Sequence, residues 1–134
     1  METTEKIIIR VFKDSDFPAI QRMNESEGWT NLASKPDIVK AAWQHSNAAF
    51  VAEQQGEIIG CMRGLTDQSI TLYICELLIA ENRRGEGLGK ALLAHVHALY
   101  PETRLEMLAS STSQSYYQAH GYRPFYGFRK TFNE

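Results

Sequence analysis

The sequence is short of cysteine, of net charge and of long apolar runs. Only Cys61 and Cys75 occur, both inside apolar stretches. No disulfide framework is expected from them, and a reducing, cytoplasmic setting is the simplest one. Lys and Arg number 14 against 16 Asp and Glu, a formal charge of −2. Neither a nucleic-acid backbone nor an anionic membrane is therefore expected as the main partner. No apolar run approaches the roughly 20 residues that cross a bilayer. The opening residues Met1 to Lys6 carry acids and lead straight into an apolar strand pattern, which is not the make-up of a signal peptide. No repeat, low-complexity tract or Pro/Gly/Ser-rich linker divides the chain. What is present is 134 residues, 43% of them hydrophobic, enough for one packed domain over residues 1–134.

Residues 7–12 are rich in β-branched side chains and read as a first strand. Asp14, Ser15 and Asp16 offer N-cap groups, Pro18 suits a first turn, and Phe17, Ile20 and Met23 follow at helical spacing. A second short helix is predicted from about Ser34, with Ile38, Ala41, Ala42 and His45 on one face. Residues 48–52 and 58–62 read as a hairpin closed at Gln54-Gln55-Gly56. The apolar run 69–80 suits a central strand covered on both faces. A third helix carries Ala91, Leu92, His95, Val96 and Leu99 on one face and ends at Pro101. A strand at 104–108, a helix at 110–120 capped by Gly121 and two short strands at 122–125 and 128–132 complete the chain. The order is β-α-α-β-β-β-α-β-α-β-β, an α/β fold with a mixed sheet flanked by helices.

The most informative segment is Arg83-Arg84-Gly85-Glu86-Gly87-Leu88-Gly89-Lys90, between the central strand and the third helix. A helix start exposes unpaired N–H groups and a partial positive charge, and glycines let an anion approach them. Arg83, Arg84 and Lys90 add charge, so the segment is a predicted phosphate or pyrophosphate site. A triphosphate loop requires Gly-Lys-Ser/Thr, but Ala91 follows Lys90. A dinucleotide loop requires GxGxxG, but glycines 85, 87 and 89 give GxGxG.

Arg84, Gly87 and Gly89 match the pattern Arg/Gln-x-x-Gly-x-Gly/Ala, and the segment resembles the acetyl-CoA-binding motif of the GNAT superfamily of N-acyltransferases. The resemblance spans nearly the whole element order. Tyr117-Gln118-Ala119-His120-Gly121-Tyr122 is similar to the family's later Tyr-x-x-x-Gly-Phe motif. The resemblance implies a mostly antiparallel central sheet and acetyl-CoA as cosubstrate. It implies backbone contacts to the pantetheine at Leu77, Leu78 and Ile79, with an amide near Leu78 polarising the thioester carbonyl. The pyrophosphate is expected on the amides of Arg84, Gly85, Glu86, Gly87, Leu88, Gly89 and Lys90. Tyr117 falls where a hydroxyl protonates the departing thiolate, the alternative being a packed helix tyrosine. Tyr116 reads as a packing residue. The family's pantetheine-contacting asparagine is replaced by Ser110, with Ser113 at the small-residue position. The resemblance also implies a homodimer.

Glu76 stands alone among the apolar residues of the central strand. A buried carboxylate needs a partner or its proton, and burial moves it toward a base's range. Glu76 is therefore a candidate base for an amine acceptor, the alternative being a structural carboxylate. No histidine has a partner at metal-ligand spacing, so no metal is expected. Cys61 and Cys75 read as core residues. The resemblance places the acceptor site at the first two helices, where Glu25, Glu27, Trp29 and Asn31 lie, and Tyr126 within 123–128 is a candidate further wall. The expected acceptor is a small amine or a protein amine. A non-catalytic acyl-CoA-binding module of the same fold remains the alternative.

Overall fold

A computed structural model describes residues 6–29, 33–110 and 113–134. The described elements run β1 (Ile8–Val11), α1 (Phe17–Ser26), α2 (Pro36–His45), β2 (Ala48–Gln54), β3 (Glu57–Thr66), β4 (Thr71–Ile79), α3 (Leu88–Leu99), β5 (Arg104–Met107) and α4 (Gln114–Ala119). The strands form one sheet in the order β1-β2-β3-β4-β5. Each neighbouring pair is antiparallel except β4 and β5, which are parallel and joined by a crossover through α3.

The predicted hairpin turn is β2–β3. Gln55 and Gly56 both have positive φ, 53° and 77°, the twist a two-residue turn needs to match its strands. Alternation along β2 and β3 divides two cores. Ala48, Phe50, Ala52 and Met62 meet Leu88, Leu92, Leu93 and Val96 of α3 on one face. Ala49, Val51 and Cys61 meet Phe17 and Ile20 of α1 and Val39 and Trp43 of α2 on the other.

Several local expectations shift. In α2 the buried positions are Val39 and Trp43, whereas Ile38 and His45 face solvent. Trp43 decides this rotation, because it has the larger surface to bury and packs on Phe12 at 5.1 Å between ring centres. In α3, Leu88 and Leu93 join Leu92 and Val96 inside, while Ala91 and Leu99 stay outside. Asp16 does not cap α1: its carboxylate accepts from Arg10 at 2.8 and 2.9 Å and from the Lys13 amide at 2.8 Å, tying α1 to β1. Gly121 does follow α4 as predicted, at φ +90°. Tyr122 N–H donates to Tyr117 O at 3.0 Å and Gly121 N–H to Gln118 O at 3.2 Å, the paired bonds of a Schellman stop.

The segments 122–125 and 128–132 are not strands here. Pro124 has no N–H to offer a ladder. Gly127 passes so close to the Leu108 side chain that only a residue without a Cβ fits there.

Candidate functional site

β5 pairs with β4 only from Thr71↔Arg104 to Ile74↔Met107, whereas β4 continues along β3 as far as Ile79. Residues 75–79 therefore have one paired edge and one open edge. Antiparallel pairing decides which backbone groups face the opening. Ala80 N–H donates to Ile59 O at 2.9 Å, making that opposed pair a hydrogen-bonded one. Bonded pairs recur at every second residue. Leu78 opposite Cys61 and Glu76 opposite Arg63 thus direct their backbone groups at β3. Leu77 and Ile79 turn theirs into the opening. Of the three expected positions, Leu77 and Ile79 direct their amides into the splay; the Leu78 side chain is buried against α1 and α2.

The Gly-rich turn sits at the end of this opening. Gly85 and Gly87 have φ of +80° and +81°, a backbone that side chains with a Cβ adopt only with strain. Nothing lies within 4 Å of a Cβ at either position, so the demand there comes from the backbone and the space stays open. Gly87 is the N-cap of α3. The first amide with a helical acceptor is that of Ala91, which donates to Gly87 O at 3.0 Å. The amides of Leu88, Gly89 and Lys90 have no such acceptor. A Cβ on Gly89 would stand 3.2 Å from the Tyr116 hydroxyl and 3.8 Å from the Leu77 and Ile79 side chains. Gly89 thus keeps clear the lane between α3, α4 and the open edge of β4, and Tyr116 borders that lane.

The arginines beside the turn are engaged by the protein itself. Arg83 donates to Gln54 Oε1 at 2.7 Å and pairs with Glu86 at 3.2 Å. Arg84 donates from Nε to Ile79 O at 3.1 Å and pairs through Nη2 with Glu27 at the end of α1. Lys90 is exposed. A cleft of about 920 Å³ opens beside Arg84, between α1 and the β4 end, lined by Arg22, Met23, Glu27, Leu78 and Glu81 among others.

Glu76 has a partner the sequence reading did not supply. Arg63 Nε donates to Glu76 Oε2 at 2.7 Å, with the two side chains 18% and 12% exposed. Arg63 also donates to Ser46 Oγ at 3.3 Å. The pair forms across an irregularity in the ladder, where Cys75 is the extra residue of β4 between Arg63↔Glu76 and Gly64↔Ile74. A lone arginine in the apolar strand β3 was the available signal. Burial pushes the Cys61 thiol well above its ordinary range, and the Glu76 charge adds to this. Burial also raises Cys75. Neither thiol is set up as a nucleophile.

Tyr117 is half-buried against the α3 core. Burial, then the neighbouring Tyr116 and Tyr122, raise its pKa, so its phenol keeps its proton. Ser110 and Ser113 bind one another: each amide donates to the other's hydroxyl, at 2.9 and 3.2 Å, at the start of α4. Among the acceptor candidates, Trp29 packs on the α1–α2 core, Glu25 is exposed on α1, and Tyr126 is 94% exposed in the tail. Asn31 lies outside the described residues.

A family profile described as "Acetyltransferase (GNAT) domain" matches residues 45–124, more than half of the chain. The chain belongs to the GNAT acetyltransferases. Solved structures of this family share the fold. A GNAT-family acetyltransferase from Streptococcus pneumoniae superposes with a TM-score of 0.77 at 15% identity, over 96% of this chain and 98% of that one. A protein described as belonging to the GNAT family from Xanthomonas campestris gives 0.74 at 19%, over 96% of each chain. Diaminobutyrate acetyltransferase from Paenibacillus lautus, solved with L-2,4-diaminobutyric acid and coenzyme A, gives 0.70 at 18%, over 87% of this chain and 73% of that one. No curated protein sequence matches the chain.

Proposed function

We propose that this GNAT domain transfers an acetyl group from acetyl-CoA to a primary amine by direct attack within a ternary complex. The open edge of β4, with the Leu77 and Ile79 backbone groups turned into it beside a glycine-lined helix start, carries the reading. Those groups fit acetyl-CoA. Amides of residues 84–90 at the start of α3 would take the pyrophosphate, and Leu77 and Ile79 would pair with the pantetheine. Bound there, acetyl-CoA supplies the thioester carbon that accepts the amine nitrogen while the C–S bond breaks.

The chain's own groups then have distinct tasks. The Leu77 amide, fixed by the β3 ladder, would donate to the thioester oxygen as charge builds there. Tyr117, kept protonated by burial, would donate its phenolic proton to the thiolate. Glu76, anchored through Oε2, offers Oε1 to the acceptor's ammonium and its departing proton. Ser110 and Ser113 first serve the start of α4 and reach the pantetheine only by opening their mutual bond. The acceptor class is a small or protein-borne primary amine that meets Glu25, Glu27 and Trp29 near the end of α1. Free Cys61 and Cys75 suit a reducing cytoplasm.

Thermal unfolding with acetyl-CoA, CoA, ATP and NAD tests the cofactor, followed by thiol release with a panel of amines. At about 1 mM, a ligand with Kd near 10 μM adds roughly 2.7 kcal/mol, several degrees for this size. Acetyl-CoA and CoA alone are expected to shift the melt. A shift with ATP or NAD only would refute the reading. Binding without thiol release to any amine would turn it toward a non-catalytic acyl-CoA module.

A further inference from the structure

Glu76 reaches its partner because β4 carries one residue too many. Ile74 lies in the core beneath α3, and unbroken alternation would turn residue 76 toward the same face. The extra residue Cys75, between Arg63↔Glu76 and Gly64↔Ile74, shifts that alternation by one. Leu77 and Ile79 then pack toward α3, and Leu78 packs toward α1 and α2. Glu76 shares the face of Leu78. Arg63 shares it too, two residues along β3 from Cys61 of the same core. Without the bulge the carboxylate would turn toward α3 and away from Arg63.

The contact holds one oxygen only. Arg63 Nε donates to Oε2 at 2.7 Å, and among the described residues no hydrogen bond is made to Oε1. The guanidinium is itself fixed. Its Nη1 donates to Ser46 Oγ at 3.3 Å, and that hydroxyl donates to Ala42 O at 2.6 Å near the end of α2. The terminal torsion of a glutamate is broad, so an untethered carboxylate would take many orientations. Glu76 stands just beyond the last β4–β5 pair, Ile74↔Met107, beside Leu77, whose amide addresses the opening.

We infer that Arg63 is a positioning residue for acetyl transfer: it holds Glu76 by Oε2 and thereby aims Oε1 at the acceptor amine. The inference rests on the acetyl-transfer reading above. As the neutral amine's nitrogen bonds to the thioester carbon, the C–S electron pair goes to sulfur. One amine proton passes to Oε1, Tyr117 gives one to sulfur, and water returns the proton from Glu76 to Tyr117. Arg63 touches none of the reacting atoms. Its guanidinium is a rigid planar fork, which a flexible ammonium is not. Displacing a catalytic group by about 1 Å costs on the order of 100-fold.

Steady-state kinetics test this on the native chain, Arg63→Met, Glu76→Gln and the double variant, with the amine that gives the fastest thiol release. Glu76→Gln is expected to lower kcat/KM for the amine by about 100-fold or more. Arg63→Met is expected to lower it by about 10- to 100-fold. The double variant should match Glu76→Gln within about 3-fold, because Arg63 acts only through that carboxylate. KM for acetyl-CoA should stay within about 2-fold throughout, a split that general loss of structure would not give. If Arg63→Met does not melt cooperatively, Arg63→Lys keeps the charge balanced without the planar fork and should lose about 10-fold. A folded Arg63 variant with native kcat/KM overturns the inference. So does a double variant whose loss is the product of the single losses, or an Arg63 variant that loses acetyl-CoA binding in step with the amine. Each of these leaves the acetyl-transfer reading intact. A native chain that releases no thiol with any amine overturns that reading and this inference with it.

Discussion

Replacing Gly87 with alanine tests the cofactor turn without touching a packed side chain. A Cβ there meets nothing within 4 Å, and the same holds at Gly85. Both residues sit near φ +80°, so each substitution carries the same backbone penalty, about 1–2 kcal/mol. That corresponds to a fall in Tm of roughly 3–8 °C for either variant. The two differ in what else they disturb. Gly87 caps α3 and stands at the unpaired amides of Leu88 to Lys90, where a methyl group would occupy the ligand's space. Losing one or two charge-assisted hydrogen bonds there costs about 2–3 kcal/mol, a 30- to 150-fold rise in Kd for CoA. Gly85→Ala, two residues before the helix start, should raise Kd by less, up to about 10-fold. Calorimetric titration with CoA, run beside thermal melts of both variants, makes the comparison. Equal affinity losses at the two positions would mean that the helix start does not hold the pyrophosphate, and the assignment of the turn would fall.

Tyr117→Phe should leave CoA binding in place while kcat falls by about 100- to 10,000-fold, the usual worth of one positioned acid; an unchanged kcat would remove Tyr117 from the chemistry. Because burial raises the Tyr117 phenol in the folded state, its contribution to stability is complete below about pH 10 and is lost as pH rises through the raised value. Native stability measured by urea unfolding should therefore decline above about pH 10, and less so in Tyr117→Phe. Arg63→Ala leaves the Glu76 carboxylate without its partner and should cost about 2–4 kcal/mol, whereas Arg63→Ala/Glu76→Ala should recover part of that loss. A single-variant cost under about 0.5 kcal/mol would show that the pair is solvated like a surface bridge. Leu92→Ala, at a fully buried position of the α3 core, should cost about 2–5 kcal/mol in the same assay.

The parts legible in the sequence are those whose cause is local. The β2–β3 turn announces itself through Gln55-Gly56, because only a short list of residues accepts two positive φ angles in succession. The Gly-rich turn is readable because an anion site at a helix start needs missing Cβ atoms at fixed spacing, and Gly121 because a helix stop needs the same freedom. The tertiary structure decided what depends on partners far along the chain. Arg63 and Glu76 are 13 residues apart, and Arg84 and Glu27 are 57 apart; both pairs exist only once strands and helices are in register. That Leu77 and Ile79, not Leu78, face the opening follows from one interstrand bond, Ala80 to Ile59. Side-chain periodicity carries no record of which edge a carbonyl or amide addresses. The tail shows the same limit from the other side. Its aromatics read as a strand, but a strand exists only where a neighbouring edge pairs with it, and residues 123–130 pair with none.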